Sequence, residues 1–191
     1  MLLQSLLDQI IMASVTIYRF RIDLTDTDRN VYEPLDFRAA QHTSETPVYL
    51  VTRVLAFIMN SQEGLVFSPE GLSNPDAPAL RIDDAFSGGT QLWIEIGNPS
   101  ARKLHKASKA AKTVKVYTYK NPELLIKEIK SNDVHRASDL EIVSFDNKFL
   151  ERMAATLQKD NTWNVIITDG LLSITFLNSQ TEQSQALVHP V

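Results

Sequence analysis

Hydrophobic residues along this chain change period several times, and each change marks an element. Val15 and Ile17, then Phe20, Ile22 and Leu24 after one slip of phase, alternate as a half-buried strand does, and Asp26, Asp28 and Asn30 supply the turn that ends it. Val31–Ala39 is predicted to return as the hairpin partner. The period then lengthens. Val48, Val51, Leu55 and Ile58 form a helical stripe, with Ser44 as N-cap and Pro47 tolerated in the first turn, which predicts a helix from Glu45 to Asn60. Three short strands are predicted next, at Leu65–Phe67, Ala79–Ile82 and Gln91–Gly97, joined by the loops SPEGLSNPDAPA and DDAFSGGT as hairpin connections. Ala101–Ala111, admitted by Pro99 and free of breakers, reads as a second helix. Beyond it the pattern predicts a strand at Val114–Tyr119, a helix at Pro122–Ile129, a strand at Leu140–Phe145 and a helix at Asn147–Gln158. A hairpin of Trp163–Thr168 and Leu171–Phe176 closes the series, and Asp169-Gly170 at its tip is the strongest short-range hairpin signal in the chain.

Composition narrows the class. With 191 residues, 43% of them hydrophobic and 22% charged, the chain is long enough to bury a core in one mixed α/β domain without staples. Residues 12–178 are expected to form that domain and residues 179–191, SQTEQSQALVHPV, a loose tail. The apolar opening MLLQSLLDQIIM lacks the charged start and cleavage site of a secretory signal. Residues 1–11 are therefore either an amphipathic helix or an extension ahead of a start at Met12. No apolar run reaches membrane-spanning length, so no membrane partner is expected. The count of 0 cysteines excludes a Cys-ligated metal, a disulfide framework and a Cys nucleophile, and suits a reducing cytoplasm.

Candidate chemistry centres on acids. Period-two alternation in Gln91–Gly97 puts Leu92, Ile94 and Ile96 on one face and Trp93, Glu95 and Gly97 on the other, so Glu95 is a carboxylate in an otherwise buried strand. A buried carboxylate must be paired, hydrogen-bonded or bound to a metal. Glu45 at the start of the first long helix, and Asp83 or Asp84 after the preceding strand, are the other acids able to join it. Such an oxygen set suits Mg²⁺ or Mn²⁺ and phosphoryl chemistry. The structural alternative is that Glu45 complements a helix N-terminus, Asp83 and Asp84 form a turn, and Glu95 pairs with Arg53, Arg81 or Lys106.

Five motifs in order, HTSET (His42–Thr46), LWIEIGNP (Leu92–Pro99) with Arg102 and Lys106-Ala107 after it, VYTY (Val116–Tyr119) and TDG (Thr168–Gly170), with DTDR (Asp26–Arg29) before them, resemble the YaeQ family of small bacterial proteins. The resemblance covers about Met12 to Asn178, with Thr43 where the family usually has Pro, Gln91 where it has an acid, and a DDAFSGGT loop of different length. The YaeQ fold is in turn similar to the PD-(D/E)XK nuclease core of helix, three strands, helix and strand, and the elements read above from Glu45 to Tyr119 follow that order. This resemblance implies a divalent-metal-dependent nuclease in which Glu45, Asp84 (or Asp83) and Glu95 hold Mg²⁺ or Mn²⁺. Gly97 stands where the triplet Lys belongs, and Lys106 on the next helix is the candidate for that role, with Lys103 and His105 assigned to other faces. The alternative the same resemblance implies is an inactive nuclease-like module that binds nucleic acid or a protein.

Charge points the same way. The net charge is -4, yet Arg102, Lys103, Lys106, Lys109, Lys112, Lys115 and Lys120 concentrate seven of the 19 basic residues in one sector. Arg102, Lys103, Lys109 and Lys112 are candidates for contacts with a DNA or RNA backbone, and Tyr117 and Tyr119 for stacking a base. His42, His105, His135 and His189 have no metal-ligand spacing, and GxSxG, G-x-G-x-x-G and GxxxxGK[ST] loops are missing from the sequence.

Overall fold

The computed structural model describes residues 15–69, 74, 76–85 and 88–191. The readings of residues 1–11 lie outside these. The chain opens with two twelve-residue strands, β1 (Val15–Asp26) and β2 (Val31–His42), paired antiparallel in full register. Then follow α1 (Pro47–Met59), β3 (Val66–Phe67), β4 (Leu80–Asp83), β5 (Thr90–Ile96), α2 (Ala101–Ala110) and β6 (Ala111–Thr118). The C-terminal part contains α3 (Pro122–Ser131), a 3₁₀ turn (Ala137–Asp139), β7 (Leu140–Ser144), α4 (Asn147–Ala155), β8 (Asp160–Thr168) and β9 (Leu171–Phe176). Two short strands, β10 (Thr181–Gln185) and β11 (Leu187–His189), complete it.

Two mixed sheets result, one of five strands in the order β10-β9-β8-β1-β2 and one of six in the order β11-β7-β6-β5-β4-β3. The expected loose tail is instead paired backbone. β10 lies antiparallel to β9 and β11 antiparallel to β7, so the last residues join both sheets. Their side chains are mostly polar, which hides edge strands from any hydrophobic pattern.

α1 is buried on nearly every side, from Leu50 and Val51 through Val54 and Leu55 to Ile58. A helix apolar all round must be enclosed. One continuous core joins Phe20, Ile22 and Leu24 of β1, Leu50, Val54 and Ile58 of α1, Phe149 and Met153 of α4, and Leu92 and Ile94 of β5. The two sheets therefore sandwich α1 and α4. A second core on the far face of the six-stranded sheet packs Trp93, Val114, Val116 and Ile142 against Leu104 and Ala107 of α2 and Leu125 and Ile129 of α3. The layers run sheet, helices, sheet, helices.

Two of the short motifs act as clamps. Asp26 holds the Arg29 side chain at 2.6 Å, and Arg29 in turn donates to the carbonyls of Ile58 and Ser61 at 3.1 Å, closing the C-terminal end of α1. Asp28 accepts the backbone N–H groups of Asp169 and Gly170 at 2.7 and 2.9 Å. The first turn thus grips the tip of the β8–β9 hairpin, where Asp169 and Gly170 both have positive φ (52° and 71°) as a two-residue type I′ turn requires.

Candidate functional site

β5 runs between β4, antiparallel to it, and β6, parallel to it, so its side chains face both cores. Leu92, Ile94 and Ile96 enter the first core and Trp93 the second, with Glu95 on Trp93's side of the sheet. Glu95 is only 3% exposed. Its Oε1 accepts from Trp93 Nε1 at 2.6 Å, and its Oε2 from Lys103 Nζ at 2.8 Å. Lys103 also donates to the Ala77 carbonyl at 2.9 Å. Burial pushes the Glu95 carboxyl above its ordinary value, and the Lys103 ammonium opposes that push.

Lys103, not Lys106, reaches the strand acid. Lys103 lies one turn before Ala107 on the face of α2 that meets the sheet, so its stem runs along that face and its ammonium turns in. Lys106 belongs to the outward face and bonds Asp76 at 3.2 Å, with Arg102 at 3.9 Å from the same carboxylate. Lys106 holds the Asp76 carboxyl below its usual range.

Glu45 precedes α1. Thr46, rather than Ser44, is the N-cap and accepts from Tyr49 N at 3.1 Å, because the Glu45 carboxylate is turned back to take the His42 N–H at 3.0 Å. Arg53, two turns along α1 and 2% exposed, closes on Glu45 at 3.1 Å and donates to the Ala40 carbonyl. Burial raises the Glu45 carboxyl and lowers the Arg53 guanidinium from its usual range, each partner resisting the other's shift. Tyr49 feels the charge of both buried acids. Burial pushes its hydroxyl up to about 12; the Arg53 charge opposes this, and the Glu45 and Glu95 charges add to it.

The charges of Glu45 and Glu95 thus both act on Tyr49, whereas Asp83 and Asp84 lie elsewhere. Asp83 pairs with Thr90 at the start of β5, five residues before Glu95, or about 17 Å along the strand. Asp83 pairs with Arg81 at 3.2 Å and Asp84 with Lys112. In an antiparallel pair the start of one strand faces the end of the other, so the acid of the β4 segment nearest Glu95 is one preceding β4. Ala79 N donates to the Ile94 carbonyl at 2.9 Å, and Asp76 lies three residues before it, with Lys103 acting on its charge. That register was available from the sequence and points to Asp76. The roles of Lys103, Tyr49 and Arg53 depend on which face of each helix meets the sheet.

For a divalent ion, the fit is poor. Among the described residues no group of three or more His, Asp or Glu side chains converges to hold a metal ion. Both Glu95 oxygens already accept from N–H donors, and each predicted acid has a cationic partner. Glu45, Asp83, Asp84 and Glu95 in this arrangement do not form a Mg²⁺ or Mn²⁺ cage.

Of the basic residues, Arg102, Lys106, Lys109 and Lys112 are exposed, whereas Lys103 points inward. Tyr117 is buried and bonded to Asn60 at 2.7 Å, so it is not a base platform. Tyr119 is partly exposed, and its ring lies over Gly97.

A sequence model of the YaeQ protein family matches residues 12–185. The chain belongs to the YaeQ family. It is 32% identical over 161 residues to the uncharacterized protein YaeQ of Escherichia coli (strain K12), covering 82% of this chain and 86% of that one. With YaeQ of Salmonella typhi it shares 30% over 160 residues, with the same coverage of 82% and 86%. The crystal structure of YaeQ protein from Xanthomonas axonopodis pv. citri matches with TM-score 0.84 at 29% identity, over 93% of this chain and 99% of that chain. YaeQ protein from Pseudomonas syringae matches with TM-score 0.82 at 27% identity, over 94% and 97%. The YaeQ frame therefore extends over both sheets and all four helices described above.

Proposed function

We propose that this YaeQ-family chain binds the phosphate backbone of nucleic acid through the outer face of α2, on a frame of PD-(D/E)XK nuclease type whose acids are held in ion pairs. The observation that carries the reading is the exposed stripe of Arg102, Lys106 and Lys109, continued by Lys112, on a chain of net charge -4. A basic stripe at helical spacing on an acidic protein is a local electrostatic footprint for a polyanion. The succession α1, β3, β4, β5, α2, β6 supports the nuclease-type frame. The test is fluorescence anisotropy with labelled DNA and RNA at several salt concentrations. Affinity should fall with salt, and Arg102→Ala should reduce the slope of log K against log salt by about one. Equal slopes in wild type and variant, or no binding at low salt, would refute the assignment.

One observation favours a second reading, hydrolysis. The contact of Lys103 with Glu95, beside Asp76, supplies the acid and lysine that the D/E-x-K chemistry uses, with the lysine coming from the following helix. That reading requires Glu95 to exchange its ammonium partner for Mg²⁺ or Mn²⁺. Calorimetric titration of Mn²⁺ into wild type and Glu95→Ala, followed by a cleavage assay on the nucleic acids that bind, decides it. Metal binding lost in the variant together with cleavage supports hydrolysis. Binding of nucleic acid without either leaves the non-catalytic reading.

A further inference from the structure

Just past the end of β6, on the α1 side of the six-stranded sheet, one aromatic ring is left partly open. Tyr119 directly follows β6, and its phenol lies over Gly97, where a built Cβ would meet Cε1 and Oη at 3.4 Å. Gly97 has φ +84°, a conformation that side chains rarely adopt, so the close approach of this ring goes with glycine at that position. Tyr49 packs edge-on against Tyr119 with centroids 6.5 Å apart. The ammonium of the exposed Lys120 lies over the ring, 5.8 Å from its centroid, so a base stacking there takes the place of Lys120 and leaves that ammonium for a phosphate. From Gly97 the chain runs through Ser100, the N-cap of α2, directly to Arg102. The ring and the first basic residue of the stripe are therefore at the same end of the sheet.

Charge is complementary there. The nearby acids are neutralised, Glu95 by Lys103 and Asp76 by Lys106 with Arg102, so a phosphate approaching Lys120 and Arg102 meets no unpaired carboxylate among them. Tyr117, the other aromatic of the VYTY motif, is buried. Only Tyr119 of that pair is partly exposed.

We infer that Tyr119 is a stacking platform for an unpaired nucleobase, which makes the ligand of the basic face a single strand rather than a duplex. The inference rests on the basic-face reading above. In a duplex each base is already stacked between its neighbours, whereas every base of a single strand can offer its face to an aromatic ring. Backbone phosphates then follow Lys120, Arg102 and the α2 stripe.

The test compares binding of labelled single-stranded DNA, single-stranded RNA and duplex DNA, each of roughly 16 nucleotides, to the full chain. Wild type is expected to favour one or both single strands, and that comparison separates DNA from RNA. Tyr119→Leu keeps apolar bulk over Gly97 and removes the aromatic face. It should weaken single-strand binding roughly 5- to 100-fold with the salt slope unchanged, while Tyr119→Trp preserves it. Equal affinity for duplex and single strand, or Tyr119→Leu binding as wild type, overturns the inference while the salt-dependent binding still supports the basic face. If no nucleic acid binds at low salt, the basic-face reading fails and this inference fails with it.

Discussion

Removing the ammonium beside Glu95 is the sharpest test of how this site is held. In Lys103→Met the stem that packs on the sheet is kept, and two hydrogen bonds are lost, at 2.8 Å to Glu95 and at 2.9 Å to the Ala77 carbonyl. Breaking a buried pair from one side costs about 3 to 5 kcal/mol because the other charge stays buried without its partner. Lys103 is 18% exposed and Glu95 5% on their side chains, so the pair is not fully enclosed and the lower figure applies, about 3 kcal/mol. For a chain of this length that corresponds to a fall in Tm of roughly 6 to 12 °C. The loss should depend on pH. Glu95 is already above its ordinary 4.5 in the folded protein, and removing Lys103 removes the charge that opposes the shift. A carboxyl raised on folding binds its proton more tightly in the native state, so stability is greatest at low pH. It falls as pH rises from about 4.5 through the folded value. Lys103→Met should therefore lose least at pH 4 to 5 and most above neutrality. Urea unfolding followed by circular dichroism across that range measures it. Adding Glu95→Gln to Lys103→Met should recover a good part of the loss, since the amide oxygen still accepts from Trp93. A Lys103→Met profile parallel to wild type, with a difference below about 0.5 kcal/mol, would show that the pair contributes nothing to the fold.

Three smaller perturbations test the local arguments. Thr46→Ala removes the acceptor for Tyr49 N and should cost about 1 kcal/mol in urea unfolding, whereas Ser44→Ala, outside the cap, should cost less. Gly170→Ala places a side chain at φ +71° and puts its Cβ 2.7 Å from Gln185 Nε2; a cost of about 1 to 2 kcal/mol is expected, read as a lowered melting temperature. Arg102→Ala, at a side chain 90% exposed, should change stability by no more than about 0.5 kcal/mol while altering the salt dependence of nucleic-acid binding.

Much of the architecture is legible because its elements have strong periods. Phe20, Ile22 and Leu24 alternate on β1 and Val51, Leu55 and Ile58 stripe α1, and all six side chains are buried in one core. The Asp169-Gly170 turn forms as its dipeptide predicts. The last strands escape notice because β10 reads Thr-Glu-Gln-Ser-Gln, a polar edge whose only reason to be extended is the neighbour it pairs with. Proximity in sequence to the end of β4 suggests Asp83 or Asp84 as the acid that joins Glu95. Antiparallel pairing reverses that expectation and favours Asp76. Lys106 and Lys103 differ by three positions on one helix, and only the packing of Leu104 and Ala107 on the sheet decides which ammonium turns inward.

The Glu95–Lys103 contact is compatible with a static lock and with a carboxylate waiting for another cation, and the Lys103→Met variant distinguishes them. Without Lys103 the carboxylate is still buried beside Trp93 and still needs positive charge or a proton. If the Asp76 and Glu45 oxygens can turn toward it, Mn²⁺ should bind the variant more tightly than wild type, because the competing ammonium is gone. A ligand that binds only the folded state raises stability by RT ln(1 + [L]/Kd), about 2.7 kcal/mol at a hundredfold excess over Kd. At pH 8 such a gain would nearly cancel the loss caused by the substitution. Unfolding curves of wild type, Lys103→Met and the double variant with Glu95→Gln, each with and without Mn²⁺, measure this directly. Rescue of the single variant alone would identify Glu95 as an interchangeable cation site and favour hydrolysis. Equal and small effects on all three would mean that the acids cannot converge, and the paired carboxylates would then be part of the scaffold that presents the basic face of α2.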